Sequence, residues 1–443
     1  MTVRVRFAPS PTGHVHIGNI RVAIFNWLFA RHEGGAFLLR IEDTDRERST
    51  PEAIQAVFEA LAWLRLDYDE PPLYQSTRTS AHLAAAQDLL RTGHAYYADK
   101  GGRGKGECIV FRMPGTDISF RDEIRGDLRK AAADLSDFVI VRSDGTPVFH
   151  LANVVDDIEM RITHVIRGDD HIENTYRHVA LFRALGALVP KYAHLPMIVN
   201  QQGKPYSKRD GAAYVGEFRQ KGFLAEALFN YLALLGWSPG DDREKMTREE
   251  MVQAFSLARV KTGPAQMDVR KLTHLNQLYI AEFPVTRFAE EVRSLLSHVD
   301  WLRGADPEYF LKVCALMQSR TTVLNKAEEW KYFFVEMPDY DEKAVQKLLK
   351  AASVREALQA ARQRLAEAEF TPQGIETAIR ATETAFNIEQ GKLNQPIRVA
   401  VTGSAIGAGL HETLALIGRS RVLKRLDYAI SALCGQQEWS CQV

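Results

Sequence analysis

PTGHVHIGNIR at residues 11–21 and GKPYSKRDG at residues 203–211 are the two stretches that decide the fold of this 443-residue chain. The first follows a strand-like run, VRVRF, and leads into an apolar segment of helical period, IRVAIFNWLFARH. Residues 16–19 are therefore predicted at a strand-to-helix turn, where free N–H groups and the helix dipole favour an anion. The second stretch is a loop in which Lys208 and Arg209 follow a serine. Together they suit an enzyme that grips a triphosphate from two sides.

Strand-like and helix-like segments alternate after the first stretch. FLLRIED at 37–43 is predicted as a strand, and PEAIQAVFEALAWL at 51–64 as a helix with Ser49 or Thr50 as its cap. TSAHLAAAQDLLRTGH at 79–94 is predicted as a further helix. This is the βαβ rhythm of a parallel sheet that binds a nucleotide at the carboxyl edge of its strands.

The rhythm breaks after His94. YYADKGGRGKGECIVFRMP is Gly-rich and basic and then strand-like, and FRDEIRGDL and FVIVRSDGTPVFHLA carry strand patterns with a turn signal at Asp144–Gly145. The sheet pattern resumes with MRITHVIRG at 160–168, and a helix is predicted from about 172. From about 213 onward the pattern is nearly all helical. The sequence therefore predicts a mixed insertion inside a nucleotide fold, followed by a helical half.

The two stretches resemble the HIGH and KMSKS signatures of class I aminoacyl-tRNA synthetases. RFAPSPTGHVHIGN, FNWLFARHEGGAFLLRIEDTDRERS, VVDDIEMRITHVIRGDDHIENT and GKLNQPIRVAVTG further resemble bacterial glutamyl-tRNA synthetases. The resemblance implies an α/β Rossmann-type class I synthetase catalytic domain with a mixed α/β insertion, followed by an all-helical C-terminal half. The implied parts are a Rossmann catalytic domain at 1–79 and 149–197, an acceptor-stem-binding insertion at 80–148, the KMSKS loop with a helical stem-contact domain at 198–300, and a helical anticodon-binding region at 301–443.

The activity that the resemblance implies is ATP-dependent ligation of L-glutamate to the 3′ end of tRNA. The glutamate carboxylate attacks the α-phosphorus of ATP, and the terminal ribose of the tRNA then attacks the glutamyl-adenylate. Alternatives within the family are charging of tRNA-Gln only, or of both tRNA-Glu and tRNA-Gln. A truncated paralogue that glutamylates a modified tRNA base (a glutamyl-queuosine tRNA synthetase-like enzyme) and a non-catalytic RNA-binding relative are further alternatives.

The resemblance assigns the ATP site to the two opening stretches. His16 and Gly18 take the places of the first histidine and the glycine of the HIGH motif, with Asn19 in its fourth position. The SKR of the second motif is present, but Pro205 replaces its opening lysine and Tyr206 follows in the apolar position. The expected catalytic residues are His16, Gly18, Ser207 and Lys208, and the expected ATP-binding residues are His16, Gly18, Lys204, Ser207, Lys208 and Arg209.

The glutamate site is expected to hold a cation for the side-chain carboxylate and an anion for the ammonium group. Arg6 suits the carboxylate as a bidentate partner, and Glu42 matches the residue that holds the ammonium. Phe149 stands where the family usually has tyrosine. The expected glutamate-binding residues are Arg6, Ala8, Ser10, Glu42, Phe149, Asn153 and Arg167. The structural alternative for Arg6 and Glu42 is a buried ion pair with each other that braces the sheet.

No zinc is expected, because the four cysteines lie far apart and form no CxxC or CxC pair. The resemblance points the same way: many relatives carry a cysteine-rich elaboration where this chain has only ADKGGRGKGE, so a zinc-free form with a shortened insertion is expected. Its basic turn, with Lys100, Arg103 and Lys105, could still contact phosphate. Mg²⁺ is expected only as the companion of ATP.

The 56 basic and 56 acidic residues cancel, so an RNA-binding face has to be a local patch. Arg419, Arg421, Lys424 and Arg425 are one candidate, and a solvated helix face is the alternative. The N-terminus has no signal-peptide pattern, and no apolar run is long enough to span a membrane. Scattered cysteines favour a cytoplasmic location. We expect a cytoplasmic monomer with tRNA, L-glutamate and ATP as its partners.

Overall fold

The computed structural model describes residues 2–45, 48–99 and 106–434. The basic turn with Lys100, Arg103 and Lys105 lies outside the described residues, so its predicted phosphate contact stays a prediction. The chain divides into two compact units, residues 1–275 and 276–443. In the described ranges, no helix combines the length and the apolar character needed to cross a membrane.

Strands and helices alternate through most of the first unit, as the sequence pattern predicts. In chain order they are β1 (Arg4–Phe7), α1 (Ile17–His32), β2 (Ala36–Ile41), α2 (Pro51–Trp63), β3 (Leu73–Tyr74), α3 (Thr79–Arg91), β4 (Ala95–Ala98), β5 (Cys108–Phe111), β6 (Ile118–Asp122), β7 (Gly126–Lys130), β8 (Phe138–Val141), α4 (Phe149–Glu159), β9 (His164–Gly168), α5 (Ile172–Ala184), β10 (Lys191–Leu195), β11 (Ile198–Val199), α6 (Val215–Gln220), α7 (Ala225–Leu234), α8 (Arg248–Ala254) and β12 (Ala265–Gln266).

The parallel strands form the frame of the nucleotide fold. β1 pairs with β2 in parallel, and β2 pairs with β3. β9 pairs with β10 in parallel, and the Thr163 N–H donates to the Arg4 carbonyl at 2.9 Å, which joins the entrance of β9 to β1. β1, β2, β9 and β10 are almost entirely buried, as expected for parallel strands covered on both faces. Their carboxyl ends therefore meet at one edge.

Local signals fix the helices that frame this edge. The Thr50 side chain accepts from the Ala53 N–H at the start of α2, and Pro51 occupies the first turn, which confirms the predicted cap. α1 is buried over most of its surface, from Ile17 to Ala30, because it is enclosed by the sheet on one side and by α7 and α8 on another. Its N-terminus opens directly at the carboxyl edge of β1.

One strand prediction was wrong. The stretch FVIVRSDGTPVFHLA forms β8 and the predicted turn at Asp144–Gly145, but the chain turns into helix α4 at Phe149. Val148, with extended backbone, is the N-cap, so the apolar residues that follow it bury a helix face rather than alternate across a sheet. Short apolar runs of this kind fit either structure by periodicity alone. β9 is also shorter than the predicted 160–168, because it begins at His164.

One small sheet and one hairpin complete the inserted region. β4, β5 and β8 form an antiparallel sheet, whereas the β6–β7 hairpin attaches to the edge of β10 through the pair Tyr192↔Asp122. The mixed character predicted for the insertion is confirmed, and its second hairpin extends the parallel sheet.

The second unit is helical throughout the part that the structure describes. Apart from α9 (Val269–Glu282), which begins in the first unit, its helices are α10 (Val285–Leu295), α11 (Asp300–Arg303), α12 (Pro307–Met317), α13 (Glu342–Leu348), α14 (Ala352–Glu367), α15 (Pro372–Ala385), α16 (Asn394–Thr402), α17 (Leu410–Ile417) and α18 (Arg419–Tyr428), with a ten-residue 3₁₀ segment at Leu324–Phe333.

The basic cluster on α18 is neither a simple solvated face nor a free patch. The guanidinium of Arg425 is buried and donates to backbone carbonyls of Tyr332, Val335, Glu336 and Val401. Arg421 donates to the Phe333 carbonyl, and Lys424 pairs with Glu336 at 2.7 Å. Arg421 and Arg425 join these segments, because a guanidinium supplies several donors to backbone carbonyls that would otherwise be unsatisfied.

Candidate active site

A cavity of about 500 Å³ opens at the carboxyl edge of β1 and β9 and at the N-terminus of α1. All of the predicted glutamate-binding residues line it, and so do two of the predicted ATP-binding residues. Those residues are Arg6, Ala8, Ser10, His16, Gly18, Glu42, Phe149, Asn153 and Arg167. The fold therefore brings together side chains that are up to 161 positions apart, between Arg6 and Arg167.

His16 is the N-cap of α1, and its geometry sets its tautomer. Its Nδ1 accepts from the Gly18 N–H at 3.0 Å, so in the neutral ring the proton is on Nε2. Burial lowers the pKa of His16 below its ordinary value, against a weaker raising effect from a backbone hydrogen bond at Tyr206. A side chain at position 18 would place its Cβ only 3.2 Å from His16 Nδ1. Glycine there leaves the capping imidazole undisturbed.

The predicted cationic loop is anchored beside this helix start. The Ile17 N–H donates to the Ala213 carbonyl at 2.9 Å, and His16 forms an antiparallel bridge with Tyr214. Tyr206 is buried and its hydroxyl donates to the Ala212 carbonyl at 3.2 Å. Pro205 and Tyr206 line the cavity. Because Tyr206 is buried, a large aromatic side chain fits the motif's apolar position.

The loop's catalytic candidates lie outside the cavity lining. Lys208 is exposed, and its Nζ is 3.6 Å from Glu217 Oε1 and 6.0 Å from the centre of the Tyr214 ring. The Ser207 hydroxyl and N–H both donate to Asp210 Oδ2, at 3.0 and 2.9 Å. Lys204 and Arg209 are also exposed, so the predicted ATP-binding cations do not line the same cavity as His16.

Asp210 is a residue that the sequence analysis missed. Besides Ser207, it accepts from Asn200 Nδ2 at 2.7 Å, and these hydrogen bonds lower the pKa of Asp210 below its ordinary value. It closes the loop into a short 3₁₀ turn, Lys208–Asp210, with a reciprocal cap. The SKRD spacing carries this signal, because a serine followed three positions later by an acidic residue is a capping-box pattern.

A buried charge network underlies the glutamate side of the cavity. Asp157 accepts from Arg6 Nε at 3.0 Å and from Arg40 at 2.5 Å, while Arg40 also contacts Glu42 at 3.2 Å and Asn153 at 2.6 Å. The alternative of an Arg6–Glu42 pair is therefore corrected: Arg6 pairs with Asp157, and Glu42 pairs with Arg40. Arg40 and Asp157 were missed as site residues, although they stand in the quoted family blocks.

The two carboxyls of this network respond differently to burial. Burial alone would raise the pKa of Asp157, but Arg40 and Arg6 beside it hold that pKa below its ordinary value. Burial raises the pKa of Glu42 above its ordinary value even though Arg40 and Arg6 oppose the shift. At Glu42 the cost of desolvation thus outweighs the attraction of the two nearby guanidinium groups.

Arg167 is a buried guanidinium without a carboxylate partner among the described residues. Its closest contact is from NH2 to Thr175 Oγ1 at 2.8 Å, and longer contacts reach His194 and His178 at 3.4 and 3.5 Å. Burial, aided by the nearby Arg6, lowers the pKa of Arg167 to about 10. The Asn153 Nδ2 group is also buried without an acceptor in the part of the chain that the structure describes. The cavity wall therefore presents an uncompensated cation and an unused donor.

Phe149 and the histidines around it form the remaining wall. Its ring stacks on His171 with centroids 6.0 Å apart and lies 5.8 Å from His178 and 5.4 Å from His150. Burial lowers the pKa of His150 and His171 to about 4, and that of His178 well below its ordinary value. These rings are neutral near pH 7, so they add no positive charge beside Arg167.

Comparisons with known proteins agree with the resemblance. Residues 2–103 and 97–274 match the family described as tRNA synthetases class I (E and Q), catalytic domain, and residues 287–430 match an anticodon binding domain. The chain is 42% identical to glutamate–tRNA ligase 2 of Coxiella burnetii (strain Dugway 5J108-111), over 97% of this chain and 98% of that one. It is 40% identical to the glutamate–tRNA ligase of Legionella pneumophila (strain Paris), over 98% of each.

A solved structure is similar over the same length. The crystal structure of a glutamate tRNA ligase from Elizabethkingia meningosepticum CCUG26117, in complex with its amino acid, has a TM-score of 0.86. It is 30% identical, over 98% of this chain and 100% of that one. The predicted fold class is confirmed by this likeness together with the matched catalytic and anticodon-binding families.

Proposed function

This chain belongs to the glutamate–tRNA ligase family of class I aminoacyl-tRNA synthetases, and from that premise we propose that it joins L-glutamate to the 3′ end of tRNA with ATP. The observation that carries the proposal at the site is that one cavity is lined both by a buried cation without an ion-pair partner among the described residues, Arg167, and by a buried carboxylate, Glu42. Glutamate is a ligand whose own charges match both groups.

Different residues of the cavity bind different groups of the glutamate. Arg6 and Arg167 hold the side-chain carboxylate of glutamate, with Asn153 Nδ2 as a further donor, and Glu42 accepts from its ammonium group. Ala8 and Ser10 shape the loop after β1, where the Pro9 carbonyl accepts from the Glu42 N–H at 3.0 Å. Phe149 offers a ring edge without a hydroxyl. The α-carboxylate is left free to react.

ATP binds next to this site, at the start of α1. The Nε2–H of His16 donates to phosphate oxygen, and Gly18 leaves room for the nucleotide near the backbone. The glutamate carboxylate oxygen forms a bond to the α-phosphorus as the bond to pyrophosphate breaks. Lys208 and Ser207 stabilise the charge that develops, with Lys204 and Arg209 on the leaving phosphates. Mg²⁺ accompanies ATP and neutralises its phosphates.

The second step transfers the activated glutamate. A ribose hydroxyl at the 3′ end of tRNA attacks the adenylate carbonyl, and AMP leaves with the electrons of the broken anhydride bond. We place the acceptor stem on the insertion at 80–148, inside the Rossmann domain of 1–79 and 149–197. The stem-contact domain is 198–300, and the anticodon region is 301–443. The matched anticodon-binding family over 287–430 argues against the truncated paralogue that modifies a tRNA base.

Charging of purified transcripts tests this function. The chain is expected to attach radiolabelled glutamate to tRNA-Glu, and the same assay with tRNA-Gln decides between a discriminating and a non-discriminating enzyme. Charging of tRNA-Gln but not of tRNA-Glu would show that the enzyme is specific for tRNA-Gln. Glutamylation of a queuosine-containing tRNA without charging of either transcript would overturn the proposal in favour of the base-modifying paralogue.

We further propose that the protein works as a zinc-free monomer in the cytoplasm. Cys108, Cys314 and Cys434 are free thiols, and the described residues contain no group of three or more ligating side chains that could hold a metal ion. Metal analysis of the purified protein is expected to find much less than one zinc per chain, and light scattering a mass near 50 kDa, against 49.9 kDa for the chain. Stoichiometric zinc or a dimer mass would contradict these statements.

A further inference from the structure

The unpaired guanidinium of Arg167 is held in place by acceptors that carry no formal charge. Its Nε donates to His194 Nε2 at 3.4 Å, and its NH2 donates to Thr175 Oγ1, which itself lies 2.9 Å from His194 Nε2. A buried arginine keeps one orientation only while such acceptors remain available. The state of His194 therefore matters for a side chain that faces the cavity.

His194 can accept from Arg167 only in one tautomer. Its Nδ1 lies 2.6 Å from Asp122 Oδ2, and a carboxylate oxygen requires a donor there. The proton is accordingly on Nδ1, and the lone pair of Nε2 faces both Arg167 Nε and the Thr175 hydroxyl, which can donate to the His171 carbonyl at 3.1 Å instead. In the other tautomer, or in the doubly protonated ring, the Nε2–H would meet Thr175 Oγ1 and a guanidinium that has only donors, so the contact with Arg167 would be lost.

Asp122 is well placed to enforce this tautomer. Asp122 and His194 are both buried, at 1% and 0% exposed, and neither lines the cavity. Oδ2 of Asp122 also accepts from the backbone N–H of His194 at 3.1 Å, and Oδ1 accepts from Ile124 and Arg125. These bonds fix the carboxylate at the end of β6, so the inserted hairpin reaches the wall of the catalytic cavity through this side chain.

We propose that Asp122 and His194 are positioning residues for glutamate binding: Asp122 keeps the proton of His194 on Nδ1, and His194 Nε2 then orients Arg167 toward the ligand. The inference rests on the proposed function, since it names how one substrate-binding side chain is held. It also assigns the β6–β7 hairpin a part in amino-acid binding in addition to any contact with RNA.

Two substitutions at His194 distinguish its role as a hydrogen-bond acceptor for Arg167 from its role in packing. His194→Phe keeps an aromatic ring against Tyr192, on which the imidazole stacks with centroids 5.9 Å apart, but removes the acceptor. The KM for glutamate is expected to rise about 10-fold, the usual cost of one hydrogen bond to a charged group, while the KM for ATP stays within about twofold. His194→Gln, whose side-chain oxygen can occupy the Nε2 position, is expected to recover most of the lost affinity.

His82→Phe is the matched control. It breaks another buried His–Asp pair, His82 Nε2 to Asp156 Oδ1 at 2.8 Å, whose members do not line the cavity. If His82→Phe raised the glutamate KM as much as His194→Phe, the effect would be general destabilisation and the inference would be wrong. The inference would also be wrong if His194→Gln raised the glutamate KM as much as His194→Phe, or if neither variant changed it.

The tautomer provides a readout that is independent of activity. Long-range ¹H–¹⁵N NMR spectra of the full chain are expected to show a neutral His194 protonated on Nδ1, assigned by the loss of its signals in His194→Phe. In Asp122→Asn this tautomer should lose population and the glutamate KM should rise. An Nε2–H tautomer in the unsubstituted protein would overturn the inference even if the protein charges tRNA. Failure of the unsubstituted protein to charge any tRNA would overturn the proposed function while leaving the tautomer measurement valid.

Discussion

Arg6 and Asp157 form a buried ion pair, with Arg6 Nε 3.0 Å from Asp157 Oδ1, although 151 positions separate them in the chain. Arg6 also lines the cavity, so one guanidinium both joins β1 to α4 and faces the proposed glutamate. Asp157 keeps a second cation, Arg40, at 2.5 Å. Loss of Arg6 therefore leaves Asp157 paired and removes mainly the cavity-facing charge.

Arg6→Gln is expected to raise the KM for glutamate much more than the KM for ATP. The reason is the loss of a charged donor, which costs about 1.5–3 kcal/mol when the partner is charged. Steady-state aminoacylation with each substrate varied in turn measures the difference. Arg4→Gln is the control, because Arg4 lies on the same strand but pairs with the exposed Glu70 outside the cavity. Normal glutamate saturation by Arg6→Gln would remove Arg6 from the amino-acid site.

The outline of the fold followed from periodicity, whereas the partners inside the site did not. α1, α2, α3 and α5 were predicted near their observed bounds, because caps and helical spacing are local signals. The pairing of Arg6 with Asp157 rather than Glu42 depends on which strands and helices meet, and no local pattern encodes that. The helical start at Phe149 was missed because VFHLA fits a buried strand and a buried helix equally well.

The cationic loop shows the same division between local and tertiary information. Ser207, Lys208 and Arg209 follow from the motif, and the Ser-x-x-Asp spacing is a local signal for the hydrogen bonds that Asp210 accepts from the hydroxyl and the N–H of Ser207. The motif does not reveal that Lys208 lies near Glu217 rather than at the cavity wall. A loop that is closed by its own hydrogen bonds can present Lys208 to ATP only after that weak, exposed pairing is exchanged for phosphate.

Lys208→Ala is expected to slow adenylate formation by about 10²- to 10³-fold, the usual cost of one donor that acts in the transition state. ATP affinity should change much less, because the side chain is exposed and paired with Glu217 before the reaction. Rapid-quench measurement of adenylate and direct titration of ATP give the two quantities. Lys221→Ala, at another exposed lysine, should leave both unchanged. Equal losses in rate and affinity would make Lys208 a ground-state ligand instead.

The neutral histidines beside Phe149 predict acid sensitivity. Burial lowers the pKa of His150 to about 4, below the value of about 6.5 expected in an unfolded chain. Between those values the unfolded state binds the additional proton, so stability falls as the pH falls, by up to about 1.4 kcal/mol per pH unit for one such histidine. Above about pH 6.5 the ring is neutral in both states, so this contribution to the free energy of unfolding no longer changes with pH.

His150→Gln is expected to remove this contribution. Its Tm should lie below that of the unsubstituted protein at pH 7.5, because the ring packs against Phe138 at 5.2 Å. The gap should narrow as the pH is lowered through 6 to 5, since only the unsubstituted chain has this ring to protonate. Scanning fluorimetry at fixed ionic strength measures both curves. Parallel curves across this range would show that His150 does not couple folding to protons.

Activation of glutamate is expected to require tRNA, as the family resemblance implies. The proposed physical reason is that the RNA binds one active arrangement of the ATP site more tightly than the inactive ones and so shifts the population toward it. ATP–pyrophosphate exchange with glutamate should be near background without RNA and should rise strongly on addition of a cognate transcript. A transcript with an altered anticodon should raise it less, because the family matched at 287–430 binds anticodons. Bovine serum albumin and a non-cognate transcript at equal concentration are the controls. Robust exchange without any tRNA would refute this coupling and would indicate an ATP site that is already in its active arrangement.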